Sequence, residues 1–332
     1  MRNVLAVLIA NGAEFGRAEI EVLSAGSRLA ADLGGTSVAA VVGGSDQSWA
    51  REAFSYGAVR VYVAGSPALT HYEPRLFADA LEQIARSADA DVLLFSSTIS
   101  GLEVAPLVGY KLGASVIMDV TGIDGKVEGG GVRIQKPVFG GKAQSELVAQ
   151  KAPVVLSLRM RSVDPLQPQE GASGEVIEIP VNVRPSTGTW RLIERNLEKS
   201  GGPRLEDARI IVSGGRGMGG KENFSCLAEL GDVLGAALGA SRAAVDLGWV
   251  PSTWQIGQTG KKVAPELYVA VGISGASQHM VGIAAAKHIV AINKDEKAPI
   301  FQMAELGVAE DYKVFIPKLI EALKKHKTSA TT

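Results

Sequence analysis

The chain has only one cysteine, Cys226, so it can form no internal disulfide and no cysteine cluster for a metal. Such sparing use fits a reducing compartment, and Cys226 itself, inside the helical run "NFSCLAELGDVL", reads as a small buried thiol. An excess of one charge is missing too: 34 basic residues face 35 acidic ones, leaving no field to draw in a phosphate backbone or an anionic membrane. Nucleic acid is therefore not an expected partner. Nor does any uninterrupted apolar stretch approach the roughly 20 residues of a membrane helix. The longest apolar run near the start, "VLAVLIA" from Val4 to Ala10, is too short and lacks a small-residue cleavage site, so it reads as a first strand. These absences predict a cytoplasmic protein with no integral membrane segment. What is present is 332 residues with 46% hydrophobic content and no long polar tract, enough for two cores and hence two domains.

The first half alternates short β-branched runs with longer helical patterns. "NVLAVLIA", "SVAAVV", "VRVYVA", "DVLLFSS" and "SVIMDVTGI" read as strands, and residues 17–33, 49–55, 74–87 and 102–112 as helices. Strands that are apolar on both faces and alternate with helices predict a mainly parallel Rossmann-like sheet with helices on both faces. After Val120, "GVRIQKPVFGGKAQSELVAQ" and "APVVLSLRM" keep strand composition without helices between them, as an antiparallel edge of the same sheet would. "SVDPLQPQEGASG" and "RPSTGTW" flank one more strand, "EVIEIPVNV", and mark the boundary. A second alternation of the same α/β kind starts at "ARIIVSGG". It passes through a helix at 223–238, "SRAAVDL", "ELYVAVG", a helix at 277–287, "HIVAIN", "APIFQMA", "KVFI" and a last helix at 317–325. The expected division is residues 1–185, a linker at 186–203, a second domain at 204–327 and a disordered tail at 328–332.

Two glycine-rich turns in the second domain carry chemistry. "SGGRGMGGKENF" follows a strand and opens a helix, with Gly215, Gly217 and Gly220 spaced G-x-G-x-x-G. The same residues nearly spell a phosphate loop, but Glu222 stands where that loop needs a hydroxyl for magnesium, which excludes nucleotide triphosphate hydrolysis. Arg216 among exposed backbone amides suits an anion. The second turn, "GISGASQHMVG", crowds Gly272, Gly275, Ser274, Ser277, Gln278 and His279 between a buried strand and a helix. Its glycines permit close backbone approach, and its polar groups at a helix start favour an anion such as a pyrophosphate. His279 reads either as a ligand contact or as a satisfied buried histidine. Between the turns, Ser241 and Arg242 stand at the start of a strand, and "QIGQTG" presents Gln258 and Thr259. Asn293 ends "HIVAIN", and Asp311 follows in "GVAEDYKVF". In a parallel sheet these turns gather at the carboxyl edge, which suggests a long anionic ligand with a hydrogen-bonding ring.

These residues resemble a known family, the alpha subunit of electron transfer flavoprotein. "SGGRGMGGKENF", "GASRAAVDLGWVP", "QIGQTGKKVAPELYVAVGISGASQHMVGI" and "IVAINKDEKAPIF" are similar to its FAD domain over nearly the whole of that domain. "SSTISGLEVAPLVGYKLGASVIMDV" and "QKPVFGGKAQSELV" are similar, more loosely, to its amino-terminal domain, which contacts a beta subunit. The resemblance implies an extended FAD across the second domain, with its ring facing the beta subunit. It carries the FAD-contacting positions onto Arg216, Ser241, Arg242, Ile256, Gly257, Gln258 and Thr259, then onto Ser274, Gly275, Ala276, Ser277, Gln278 and His279, and finally onto Asn293, Asp311 and Tyr312. Arg242 and Thr259 are implied beside flavin N(5), and His279 at the C(2) carbonyl. Ser274 and Gln278 serve the ribityl and pyrophosphate region, and Asn293 and Asp311 the adenosine end. Two positions depart from the family: Ser277 replaces a branched aliphatic residue, and Trp254 a smaller one.

The implied function is electron carriage rather than substrate transformation. FAD would take electrons from a flavoprotein dehydrogenase, such as an acyl-CoA dehydrogenase, and pass them to a downstream oxidoreductase or quinone pathway. Neither a metal nor a catalytic acid–base set is expected. Whether the beta subunit carries AMP or a second flavin, which separates a simple carrier from a bifurcating complex, stays open. The alternative is an NAD-dependent dehydrogenase using the fingerprint at Gly215, with Asp246 at the end of the next strand.

Overall fold

The computed structural model describes residues 3–10, 15–43, 48–128, 130–141, 143–183, 193–194, 204–206 and 208–330. The chain divides into two units, Met1–Ile193 and Glu194–Thr332. The expected linker at 186–203 lies outside the described residues except for 193 and 194. Among the described residues no helix is long and apolar enough to cross a membrane.

The first unit opens with β1 (Asn3–Ile9), α1 (Arg17–Asp32), β2 (Thr36–Val42), α2 (Ser48–Ser55) and β3 (Arg60–Ala64). It continues with α3 (Pro74–Ser87), β4 (Ala90–Ser96), α4 (Ile99–Leu112) and β5 (Ser115–Val120). The strands β6 (Gly122–Asp124), β7 (Val132–Val138), β8 (Ala143–Ala149), β9 (Val154–Leu158) and β10 (Glu175–Ile179) complete it. Seven of these strands form one sheet in the order β10-β3-β2-β1-β4-β9-β5, with every pair parallel. Val4 to Leu8 are all buried because helices cover both faces. Local chemistry sets the helix ends. Pro74 takes the first turn of α3, where its missing N–H costs nothing, and the Glu73 carboxylate accepts from the amides of Arg75 and Leu76 at 3.2 and 3.0 Å. Gly113 closes α4 in the left-handed conformation at φ 63°.

The segment after Val120 corrects the expected antiparallel edge. β6, β7 and β8 form a separate three-stranded antiparallel sheet, while β9 runs parallel inside the large sheet, between β4 and β5. Burial explains the difference: all five residues of β9 are buried, whereas β8 exposes most of its positions. A strand apolar on both faces belongs in a sheet interior.

The second unit contains β11 (Ile210–Gly214), α5 (Ser225–Leu234), β12 (Ala237–Ser241), α6 (Arg242–Asp246) and β13 (Gln255–Ile256). β14 (Leu267–Val271), α7 (Ser277–Ile283), β15 (His288–Ile292), β16 (Leu306–Val308) and α8 (Tyr312–Ala330) follow. The sheet order is β13-β12-β11-β14-β15-β16, again all parallel. From β11 the chain first moves to β12 on one side and later returns to β14 on the other. The strand order therefore reverses between β11 and β14, and the loops leaving these two strands flank a crevice at the carboxyl edge, where such folds hold ligands.

Several boundaries differ from expectation. The helix predicted to reach Leu238 stops at Leu234, because Gly235 adopts φ 65° and reverses the chain, and "ALGAS" becomes the buried strand β12. Its alanine-rich composition looks helical, and burial in the sheet overrides that propensity. Ser241 and Arg242 accordingly lie at the end of β12 and the start of α6, not at the start of a strand. The helix expected to run to Lys287 ends at Ile283. "KVFI" belongs to α8, and the outer strand is Leu306–Val308 instead. Helix α8 runs to Ala330, into the tail expected to be disordered, and its lysines pair with Glu229 and Glu321 at 2.9 and 2.7 Å; residues 331–332 lie outside the described residues.

Candidate functional site

The two glycine turns meet at the switch between β11 and β14. Gly215 N donates to Val271 O at 2.8 Å, Gly217 N to Gly272 O at 2.9 Å, and Gly272 N to Ile292 O at 2.9 Å. A Cβ on Gly215 would lie 2.2 Å from the Gly272 carbonyl oxygen, and Gly272 itself adopts φ 62°. Gly275, at φ 86°, leaves only 2.4 Å between a would-be Cβ and the amide of Ile300. The sequence suggested that Gly272 and Gly275 admit a ligand; in the structure both are packed against neighbouring backbone, and Gly272 also lines the adjoining cavity.

Beside this crossing lies a cavity of about 790 Å³. It is lined by Arg216, Ser241, Arg242, Ile256, Gly257, Gln258, Thr259, Ser274, Ala276, Gln278, His279 and Asn293. A second hollow of about 310 Å³ shares Gly217, Gly272 and Asn293 with it and contains Asp311 and Tyr312. Gly275 and Ser277 line neither hollow. Ser277 is the exposed first residue of α7, and Ala276 occupies the cap position before it. Trp254 packs half-buried on the core that includes Phe224 and Ala244.

Most polar side chains of the large cavity reach solvent, among them Arg216, Arg242, Gln258, Thr259, Ser274 and Gln278. Arg242 Nε lies 3.3 Å from Asp246 Oδ2 across one turn of α6, with the two side chains 66% and 62% exposed. An exposed pair at this spacing contributes about 0.3–0.5 kcal/mol and does not immobilise the guanidinium. Thr259 Oγ1 accepts from Gln255 Nε2 at 3.1 Å, and the Gln258 amide donates to the Gln278 carbonyl at 2.7 Å, which ties "QIGQT" to the start of α7. Ser241 Oγ is buried without a hydrogen-bond partner among the described residues, an arrangement that usually marks a missing acceptor or donor.

Four of the candidate residues already serve the protein. Asn293 Nδ2 donates to Ile273 O at 3.0 Å while its Oδ1 accepts from the Asp295 amide at 3.0 Å, pinning the loops after β14 and β15 together. Asp311 Oδ1 accepts from the Lys313 amide at 2.9 Å at the start of α8. Tyr312, buried, donates its hydroxyl to Met218 O at 2.7 Å and so anchors the first glycine turn; burial pushes its phenol up from the ordinary value. His279 is buried at 7% exposure, with Nδ1 3.1 Å from Ile256 O and Nε2 2.9 Å from Tyr268 Oη. Burial lowers its pKa from the ordinary 6.5 to about 4, against a smaller opposing effect of the Ile256 carbonyl.

The sequence reading missed Asp295, Ala298 and Pro299 on the cavity wall, and Tyr268 beneath it. Asp295 had a signal in its place two residues beyond Asn293 at a carboxyl edge, whereas Tyr268 is hidden in the apolar run of β14. The wall carries Asp246 and Asp295 as well as Arg216 and Arg242, so its formal charges cancel and any anion preference comes from local placement rather than from net charge.

Residues 204–284 match the electron transfer flavoprotein FAD-binding domain, and residues 4–183 match the electron transfer flavoprotein domain. The chain is 38% identical over 311 residues to an electron transfer flavoprotein subunit alpha of Thermoanaerobacterium thermosaccharolyticum, covering 93% of each chain. It is 36% identical over 306 residues to the Bacillus subtilis subunit alpha, covering 92% of each, and 40% identical over 272 residues to that of Mycobacterium leprae, covering 82% of this chain and 83% of the relative. These comparisons lend no support to the NAD-dependent dehydrogenase alternative. The structure removes its second motif as well, since Asp246 ends the helix α6 rather than a strand and faces Arg242.

Proposed function

The chain belongs to the electron transfer flavoprotein alpha-subunit family, and its second unit carries that family's FAD-binding domain. From this premise we propose that the cavity at the carboxyl edge of the second sheet seats the FAD, and that a beta subunit covers its open side. The reading rests chiefly on one observation: both glycine turns, "QIGQT" and the β12–α6 junction converge on a single cavity of about 790 Å³. The residues present fit the group. The orphaned Ser241 hydroxyl needs a hydrogen-bond partner, and Arg216, which has no ion-pair partner among the described residues, suits a phosphate.

When bound, FAD supplies a ring that accepts and releases electrons. The chain's own residues position and tune it. Arg242, at the start of α6 and on the cavity wall, places a cation beside the bound group, while Gln258 and Thr259 offer an amide and a hydroxyl from a loop locked to α7. His279 provides the buried floor. Asn293 and Tyr312 act mainly through the protein, by holding the loops that frame the two hollows. Because so many wall side chains reach solvent, water exclusion has to come from outside this chain, which supports a covering subunit.

Co-expression with a beta subunit, followed by a visible absorption spectrum and nucleotide analysis, tests the reading. The expected result is a yellow heterodimer with a single non-covalent FAD associated with this chain. A colourless protein that binds a nicotinamide dinucleotide and not FAD would overturn it.

A further inference from the structure

Tyr268, on β14, is the bulkiest fully buried side chain among the described residues. A phenol placed so deeply is costly unless its hydroxyl finds a partner, and here the hydroxyl meets Nε2 of His279 at 2.9 Å. The other ring nitrogen, Nδ1, meets the Ile256 carbonyl at 3.1 Å. A carbonyl can only accept, so the hydrogen on this contact belongs to Nδ1. In a singly protonated ring, Nε2 is then a bare acceptor and the Tyr268 hydroxyl donates to it.

We propose that Tyr268 is a positioning residue of this site: with the Ile256 carbonyl on Nδ1 and the Tyr268 hydroxyl on Nε2, His279 is held in one plane and one tautomer. Both ring nitrogens are then engaged by the protein, Nδ1 by the Ile256 carbonyl and Nε2 by the Tyr268 hydroxyl. Tyr268 itself is on the core side of β14 and is not part of the cavity wall. Its effect on a ligand passes through the imidazole.

The surroundings favour the singly protonated state. Burial pushes the imidazole down to about 4, and no charged side chain contributes to that shift. Helix α7 carries no charged residue, β13 is Gln255–Ile256, and Tyr268 is the only titratable group that β14 contributes. Arg216, Arg242, Asp246 and Asp295 are the charged residues of the cavity wall. At neutral pH the ring therefore presents Tyr268 with a lone pair. The identity of the ligand rests on the FAD reading above; the tautomer does not.

The test is nitrogen NMR of the full chain, FAD-loaded and with its partner subunit, carrying 15N-labelled histidine, with His279 assigned by the loss of its signals in His279→Gln. The expected spectrum at neutral pH shows a protonated Nδ1 and a bare Nε2 whose shift carries the signature of an accepted hydrogen bond. In Tyr268→Phe that signature is lost at Nε2, while Nδ1, still on the Ile256 carbonyl, stays protonated. A bare Nδ1 beside a protonated Nε2 in the parent protein overturns the proposal, as does an Nε2 shift unaffected by Tyr268→Phe. Should Tyr268→Phe fail to fold, the Nε2 shift of the parent decides: a bare Nε2 without the signature of an accepted hydrogen bond overturns the proposal. FAD content is read separately from the absorption spectrum, so a chain that lacks FAD but shows the Nδ1 tautomer sinks the cofactor reading and leaves the positioning role standing.

Discussion

Arg242 is the side chain with most leverage over an electron arriving in the cavity, and its surroundings set the size of the effect. Two unit charges about 4 Å apart interact by about 4 kcal/mol at an effective dielectric of 20 and by about 1 kcal/mol in bulk water. The guanidinium, 66% exposed, falls between these limits, and a covering subunit would move it towards the first. At about 59 mV per 1.4 kcal/mol for a one-electron step, the range is about 40–170 mV. Asp246, with its Oδ2 3.3 Å from Arg242 Nε, opposes the arginine and pulls the net effect towards the lower end. Arg242→Ala should therefore lower the reduction potential of the bound FAD, and Asp246→Asn should raise it. Arg242→Lys should keep part of the shift while losing the planar fork. Raising the ionic strength should shrink both shifts if the site stays solvated. Redox titration of variants with confirmed FAD occupancy checks this. Potentials for Arg242→Ala and Asp246→Asn both within about 15 mV of the parent, against the floor of about 40 mV, would refute the reasoning.

Two further outcomes follow from the same geometry. His279, whose pKa is lowered to about 4 in the folded protein, leaves the unfolded chain to bind the proton first as pH falls, so stability is intact above about pH 6.5 and declines towards pH 4 by about 3 kcal/mol. Urea titrations across that window should show the decline flatten in His279→Gln, and an unchanged pH slope would remove His279 as its cause. Gly215→Ala drives a Cβ to 2.2 Å from the Gly272 carbonyl oxygen, part of the backbone, whereas Gly219→Ala meets nothing closer than 3.9 Å and suffers only its positive φ of 79°. The first should cost about 3 kcal/mol or more and the second about 1–2 kcal/mol of unfolding free energy in urea titrations; equal costs would mean the crossing of the two turns is looser than described.

Much of this was legible in the sequence, for reasons that differ from element to element. The helical pattern at 74–87 marked α3, and the doubly apolar runs of β1 and β2 required a covered parallel sheet. β12 was hidden because "ALGAS" has helical composition, and only its place beside β11 makes it a strand. Misplacing β12 also misplaced Arg242, which the structure puts at the start of α6 with Asp246 four residues on. The glycines were found, and the structure adds that neighbouring backbone packs against them. A left-handed or close-packed glycine leaves the same trace in a sequence whether the intruding atom is a phosphate oxygen or a carbonyl of the next loop.

That ambiguity bears on how the site can work. Gly217 N on Gly272 O, Gly272 N on Ile292 O and Asn293 N on Val308 O form a ladder that continues past the strand ends, and Asn293 Nδ2 on Ile273 O crosses it. The backbone frame of the cavity is thus fixed by the protein itself, and a ligand does not have to order these loops on entry. The side chains that face solvent, Arg216, Arg242, Gln258, Thr259 and Gln278, are held far less. A rigid frame with solvated functional groups separates two properties that a buried site would couple. Residence of the cofactor depends on the frame, whereas its potential depends on the dielectric around exposed charges and hence on whatever covers them. Substitutions in the ladder should therefore lose cofactor with little change in the potential of the fraction that remains loaded, and substitutions at Arg242 or Asp246 should do the reverse.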